Sequence, residues 1–264
     1  MTARRIGLIG WGAIATDVAD GLIAQGFPVT VLCRSGAGDR TMPAGAVQVG
    51  DLPALLASDP ALIVETASQD AVRHLVPLCL DAGRAVLISS VGALTDAGLL
   101  AMLQATAEQR GTHIILPAGA IGALDYVRAA RHAADASVVY ESRKPVGAWR
   151  EELRALGVDP DSLDAPLTLY EGDARGAASR YPANLNVAAT LALAGRGFEG
   201  TQVRVVVDPA VARNTHTITV ESELGTMTIS LSNRPAVTNP KSSMVVSRSI
   251  LAAVEQYFSR VKML

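Results

Sequence analysis

Arg5-Ile6-Gly7-Leu8-Ile9-Gly10-Trp11-Gly12-Ala13-Ile14-Ala15 decides the fold. Arg5–Ile9 reads as a short buried strand, and Ile14–Gln25 as a helix with Ile14, Val18 and Leu22 four residues apart. Between them, Gly10, Gly12 and Ala15 fill the pattern G-x-G-x-x-G/A. The first glycine permits the tight turn, and the second lets the backbone approach a pyrophosphate. The third small residue lets helix and strand pack closely. A helix N-terminus behind such a turn offers free N–H groups and partial positive charge to phosphates. Gly10, Gly12, Ala13 and Ile14 are therefore the expected cofactor-binding residues at the start of a Rossmann domain.

Outward from this turn the first half keeps a βα rhythm. Val29–Cys33, Ala61–Glu65, Ala85–Ser89 and His113–Leu116 read as strands, and Asp70–Asp81 and Thr95–Gln109 as helices. Short apolar strands separated by helices indicate a parallel sheet covered on both faces. The second half changes character. Ser137–Ser142, Gln202–Val207, Thr215–Val220 and Thr226–Leu231 alternate or are rich in β-branched residues, with a hairpin at Glu223–Gly225. Asn184–Ala194 reads as a helix, Val158–Leu167 as a surface loop and Ser243–Val261 as a terminal helix. The expected architecture is α/β: a Rossmann domain of residues 1–120 completed by a returning helix within 243–264, and an α+β catalytic domain of residues 121–242 with a mixed or antiparallel sheet. Nicotinamide and substrate are expected in the cleft between the two.

Composition narrows the function. The 264 residues carry 23 Lys and Arg against 25 Asp and Glu, a net charge of -2 that argues against nucleic-acid binding. Two cysteines, Cys33 and Cys79, suit neither a disulfide framework nor a zinc site, and both read as small buried residues; no metal is implied. No apolar run reaches the roughly 18 residues of a membrane span, and the first apolar run ends at Asp17 with no cleavage site. A soluble, cytoplasmic enzyme is the expectation.

The end of the second strand bears on cofactor choice. An acidic residue there binds a ribose 2′-hydroxyl and repels a 2′-phosphate. Here Arg34 and Ser35 stand in that place, with no acid before Asp39. Arg34 can pair with a 2′-phosphate and Ser35 can hydrogen-bond it. NADP is expected to be accepted beside NAD; an exposed Arg34, or one stacked on adenine, is the alternative.

Three segments of the second half are unusual for a scaffold. Pro117-Ala118-Gly119-Ala120-Ile121-Gly122-Ala123-Leu124-Asp125 follows a strand, and Tyr181-Pro182-Ala183-Asn184-Leu185-Asn186-Val187-Ala188-Ala189 places two Asn beside a helix start. The third comprises Asp208-Pro209, Asn214-Thr215-His216, Asn233-Arg234-Pro235 and Asn239-Pro240-Lys241-Ser242-Ser243. In their order and content these segments resemble the L-aspartate dehydrogenase family, over nearly the whole chain. Arg143-Lys144-Pro145-Val146 resembles that family's KPP segment. Ala118 and Ala123 depart from it, standing where Ser and Gly are common. The resemblance implies His216 as catalytic residue, with the Ala120 backbone and Asn186 at the nicotinamide. It implies oxidation of L-aspartate to iminoaspartate with NAD or NADP, hydrolysis to oxaloacetate and ammonia, service to pyridine-nucleotide synthesis, and a homodimer.

Residue chemistry points the same way. Hydride transfer is chiefly a task of orientation, and the amine must lose a proton before an imine forms. Histidine titrates near neutrality and suits that transfer; Asn214 and Thr215 are the neighbours expected to orient His216. A dicarboxylate needs cations and donors, for which Lys241 with Ser242, and then Lys144, are the candidates. His74, His113 and His132 read as structural or exposed. Rival readings are another two-domain NAD(P)-dependent oxidoreductase, such as a semialdehyde dehydrogenase or a dihydrodipicolinate reductase, and a non-catalytic NADP(H) sensor. The first needs a cysteine nucleophile over the nicotinamide, for which neither cysteine is placed. The second is expected to show a basic, His-rich cluster that is missing.

Overall fold

A computed structural model describes residues 4–33, 42–181, 186–236 and 239–263. The chain divides into two compact units, Met1–Gly119 with Ser247–Met263, and Ala120–Val246.

In the first unit the strands are β1 (Ile6–Ile9), β2 (Val29–Leu32), β3 (Ala46–Val49), β4 (Leu62–Glu65), β5 (Val86–Ile88) and β6 (Ile114–Ile115). Among the described residues they form a six-stranded sheet in the order β3-β2-β1-β4-β5-β6, parallel throughout. Helices α1 (Ala13–Ala24), α2 (Leu52–Ala57), α3 (Gln69–Asp81) and α4 (Ala97–Gln109) make the crossovers. β1, β4 and β5 are buried at every residue, as strands covered on both faces must be. Asp51, Ser68 and Asp96 start α2, α3 and α4 by accepting from the N–H three residues on. The pair β3 and α2 escapes a reading of the sequence. Ala46-Val47-Gln48-Val49 is a sheet edge whose two central residues are exposed, and it lacks the apolar run that marks the other strands.

The second unit contains α5 (Leu124–Ala130), β7 (Ser137–Lys144), α6 (Arg150–Ala155), β8 (Leu167–Asp173), α7 (Ala174–Arg180), α8 (Asn186–Ala194), α9 (Gly197–Gly200), β9 (Thr201–Val207), β10 (Asn214–Ser222) and β11 (Gly225–Asn233), then the short pair β12 (Pro235–Ala236) and β13 (Asn239–Ser243). Its main sheet has the order β11-β10-β7-β9-β8. It is mixed: β7 and β9 run parallel, and the other pairs are antiparallel. One face is apolar over Val138, Ile218, Val220 and Val203. α5 lies against β10, and α7 and α8 against β9.

α10 (Val245–Phe258) follows β13, and from Ser247 onward it belongs to the first unit. Gly21 on α1 makes room for it: a Cβ there would stand 2.4 Å from Leu251 Cδ1. Phe27 stacks on Phe258 with ring centres 5.7 Å apart, and the Gly119 amide donates to Ser249 Oγ at 2.9 Å. The helix ends at Phe258, short of the expected Val261, because Lys262 Nζ turns back onto the carbonyls of Gln256 and Tyr257. No helix of the described residues is long and apolar enough to cross a membrane.

Ala123, just before α5, has φ 59° and ψ 24°, the left-handed region where a Cβ is penalised. Glycine, common there in the family the sequence resembles, is the residue that this backbone favours. Ala123→Gly is expected to raise the unfolding free energy by about 1 kcal/mol. Urea unfolding of the two proteins checks it.

Candidate active site

The glycine turn leaves β1 at Gly10, whose φ of 98° only glycine adopts without strain. A Cβ at Gly10 would lie 2.7 Å from Ala67 Cβ, whereas a Cβ at Gly12 would meet nothing within 4 Å. One glycine is thus required by the fold, and the other keeps a space clear. Gly12 caps α1 without any side-chain hydrogen bond, and no acidic residue sits in that first turn. The opening N–H groups of α1, beginning at Ala13 and Ile14, remain available to an anion. This cradle fits the pyrophosphate of a dinucleotide. Beside it lies a cavity of about 690 Å³ whose walls include Trp11, Cys33, Asp51, Ser68, Asp70 and His74. His74 is exposed on α3, and Cys33 and Cys79 are both buried. Arg34 and Ser35 lie outside the described residues.

Beneath the turn sits Glu65, a residue the sequence reading passed over. It ends β4 fully buried. Its Oε1 accepts from the Ala67 and Ser68 amides at 2.8 and 2.9 Å and from Ser90 Oγ at 2.9 Å, and its Oε2 accepts from the Ser90 amide at 3.0 Å. Burial pushes its pKa up, against those donors, which favour the charged form. The visible signal was an acid closing the apolar strand Leu62-Ile63-Val64-Glu65.

In the second unit the covered face of the sheet turns polar at one end. Ser142 and Lys144 on β7, and Asn214 and His216 on β10, are all buried, with His216 directly opposite Ser142. The orienting neighbours of His216 need correction. Its Nδ1 lies 2.7 Å from the hydroxyl of Tyr140, and the two rings stack with centres 6.0 Å apart. Thr215 points to the other face, as strand alternation requires, and Asn214 shares only the face. His216 Nε2 is buried without a hydrogen-bond partner among the described residues. Burial and the Lys144 ammonium lower its pKa from 6.5 to about 4.

Lys144 is 5% exposed, with its Nζ 5.4 Å from the ring centre of Trp149. Trp149 is itself buried edge-on against Tyr181. Asp208, from the motif that leads to His216, has a building role. It pairs with Arg143 at 2.6 Å and accepts from the Ala210 amide at 2.8 Å, and Arg143 holds it below the usual carboxylate range. The Ala120 carbonyl accepts from Asn233 Nδ2 at 2.7 Å, which ties the glycine-rich segment to the end of β11. Asn186 opens α8, exposed. Ser242 is half-buried on β13; the Lys241 side chain lies outside what the structure describes. Among the predicted groups, the structure thus brings His216 and Lys144 together.

Comparison with known proteins gives two matching family models. "Aspartate dehydrogenase, C-terminal" covers residues 125–257, and "Homoserine dehydrogenase, NAD binding domain" covers residues 10–117. The chain is 51% identical over 261 residues to L-aspartate dehydrogenase 2 of Bordetella pertussis, covering 97% of this chain and 98% of that protein. It is 39% identical over 252 residues to L-aspartate dehydrogenase of Ruegeria pomeroyi, covering 96% and 92%. Among solved structures, aspartate dehydrogenase from Thermotoga maritima matches with a TM-score of 0.78 at 26% identity, over 99% of each chain. A dihydrodipicolinate reductase from Paenisporosarcina matches at 0.55 and 15% identity over 97% and 94%, a likeness of fold alone.

Two expectations follow from the geometry. Gly12→Val is expected to unfold at the wild-type temperature yet bind cofactor at least tenfold more weakly, whereas Gly10→Ala loses stability itself; cofactor titration beside thermal unfolding separates them. For His216, an unfolded chain takes up the proton near pH 6.5 and the folded one only near pH 4. The unfolded state binds more protons in that window, and the stability of the neutral, buried imidazole is lost as pH falls through it. The difference in unfolding free energy between wild type and His216→Gln should change by on the order of 3 kcal/mol from neutral pH down to about pH 4, measured by urea unfolding along the pH series.

Proposed function

This chain belongs to the L-aspartate dehydrogenase family, and from that membership we propose that it oxidises L-aspartate to iminoaspartate, which water converts to oxaloacetate and ammonia. The observation that carries the reading is His216: a neutral imidazole whose buried Nε2 has no hydrogen-bond partner among the described residues, next to the buried cation Lys144. A base must stay unprotonated at working pH and must present a lone pair. The lowered pKa meets the first need and the open Nε2 the second.

The roles of this chain's residues follow from their chemistry. His216 Nε2 takes the proton that the substrate ammonium must lose, and serves again for the water that attacks the imine. Lys144 draws a substrate carboxylate, with Lys241 and Ser242 as partners for the second. Burial is the larger influence that holds the His216 pKa down, and a carboxylate on Lys144 offsets the smaller one, the ammonium charge. Gly10, Gly12, Ala13 and Ile14 receive the pyrophosphate, and Ala120 and Asn186 orient the nicotinamide ring. When bound, the nicotinamide supplies the hydride acceptor.

NAD(P) use goes with the family and with the NAD-binding model over residues 10–117. We propose that NADP is accepted, through Arg34 and Ser35. Asp51 and Asp70 on the cavity wall weigh against a 2′-phosphate, and the ratio of the two Michaelis constants decides. Assembly as a homodimer and supply of iminoaspartate to pyridine-nucleotide synthesis accompany the proposal.

The test follows reduced cofactor by its near-ultraviolet absorbance, with L-aspartate and each of NAD and NADP, beside L-glutamate, L-alanine and D-aspartate. Growth with L-aspartate alone is expected. His216→Ala is expected to lower turnover by at least about a hundredfold with cofactor affinity intact. Cofactor binding without any amino-acid-dependent reduction would instead support a sensor.

A further inference from the structure

We propose that Tyr140 is the positioning residue for His216, holding the imidazole in the tautomer with hydrogen on Nδ1 and the lone pair on Nε2. The inference rests on the reading of His216 as the base. It begins from geometry: Tyr140 is fully buried on β7, its hydroxyl is 2.7 Å from His216 Nδ1, and the two rings stack with 11° between their planes.

Two arrangements of hydrogen fit that contact. If the phenol donates to Nδ1, Nε2 carries the hydrogen and is a donor only, with no lone pair for a proton. If Nδ1–H donates to the phenol oxygen, Nε2 is an acceptor and His216 can act. The second arrangement also survives the reaction unchanged. When Nε2 takes a proton from the substrate ammonium, the resulting imidazolium keeps its Nδ1–H on the Tyr140 oxygen. When that proton later leaves Nε2, the starting state returns. Tyr140 keeps its own proton throughout, as its upward-shifted pKa requires.

Ser142, two residues along the same strand and on the same buried face, carries a hydroxyl with no hydrogen-bond partner among the described residues, an acceptor toward which the phenol hydrogen can turn. The acceptor behind the histidine is therefore neutral, unlike the carboxylate of a Ser-His-Asp triad. Nearby acids do not replace it: Glu141 and Asp208 are engaged by Arg143, which alternates to the opposite face of β7. A neutral acceptor fixes the ring and its tautomer without adding negative charge that would protonate the base at rest.

The experiment is nitrogen NMR of protein labelled with ¹⁵N-histidine, read together with steady-state kinetics. The chain has 4 histidines, and the spectrum of His216→Gln identifies the signal of interest. Wild type is expected to show Nδ1 hydrogen-bearing and Nε2 bare at neutral pH. Tyr140→Phe keeps the stacked ring and removes only the hydroxyl. It is expected to release the tautomer toward Nε2–H and to lower kcat by about tenfold or more, with the cofactor KM unchanged. Wild type with hydrogen on Nε2 would overturn the proposal, and that measurement needs no variant to fold. Full activity in Tyr140→Phe with His216→Gln inactive would overturn Tyr140 alone. An active His216→Gln would instead overturn the base on which the proposal rests.

Discussion

Backbone and side chain meet at Gly10 and Ala67 with no room for another atom, and the carboxyl edge of the parallel sheet is organised around that contact. The turn after β1 can lie so close to the turn after β4 only because residue 10 has no Cβ. Ala67 in turn is held from below by the carboxylate of Glu65, which also grips Ser68 and Ser90. The loops that follow β1, β4 and β5 therefore form one piece, at the point where the strand order reverses and open α/β sheets receive their ligands. A buried carboxylate is costly unless hydrogen-bonded, and Glu65 meets that cost with four donors rather than with a cation. The first turn of α1 carries no acidic side chain and meets an anion with its backbone N–H groups.

Register plays the equivalent part in the second unit. His216 faces the covered side because it pairs with Ser142 across one ladder and with Leu231 across the other. A slip by one residue would send it to the opposite face with Thr215 and Thr217. The apolar residues Ile218 and Val220 lock that register by burial, and the polar end of the same face is positioned by it. Core and chemistry share one strand, divided by position along it.

The fold class was legible because the glycine turn, the fully buried strands and the 3.6-residue helix pattern all agree, and agreement across levels is what specifies a structure. β3 was not legible, since an exposed edge strand leaves no apolar signature. α6 and α7 were hidden for a similar reason: each is a single short stretch beginning and ending in arginine or small residues. Tyr140 and Glu65 were missed because each reads in isolation as ordinary: an aromatic in a β-branched strand, and an acid at a strand end. Their importance comes from partners 76 and 25 residues away, His216 and Ser90, which periodicity cannot reveal. His216 itself stood out only through its surrounding motif. Its neighbours in sequence, Asn214 and Thr215, are its strand-mates, and Thr215 faces away.

The return of α10 to the first unit bears on the order of events during biosynthesis. Leu251 fills the notch left by Gly21, and Phe258 stacks on Phe27, so α1 buries part of its surface against a segment translated only after the whole second unit. Until α10 is made, that flank of α1 stays bare, while the second unit, contiguous in the chain, can condense first. The strand-helix half that looks most autonomous in the sequence is thus the last to be completed.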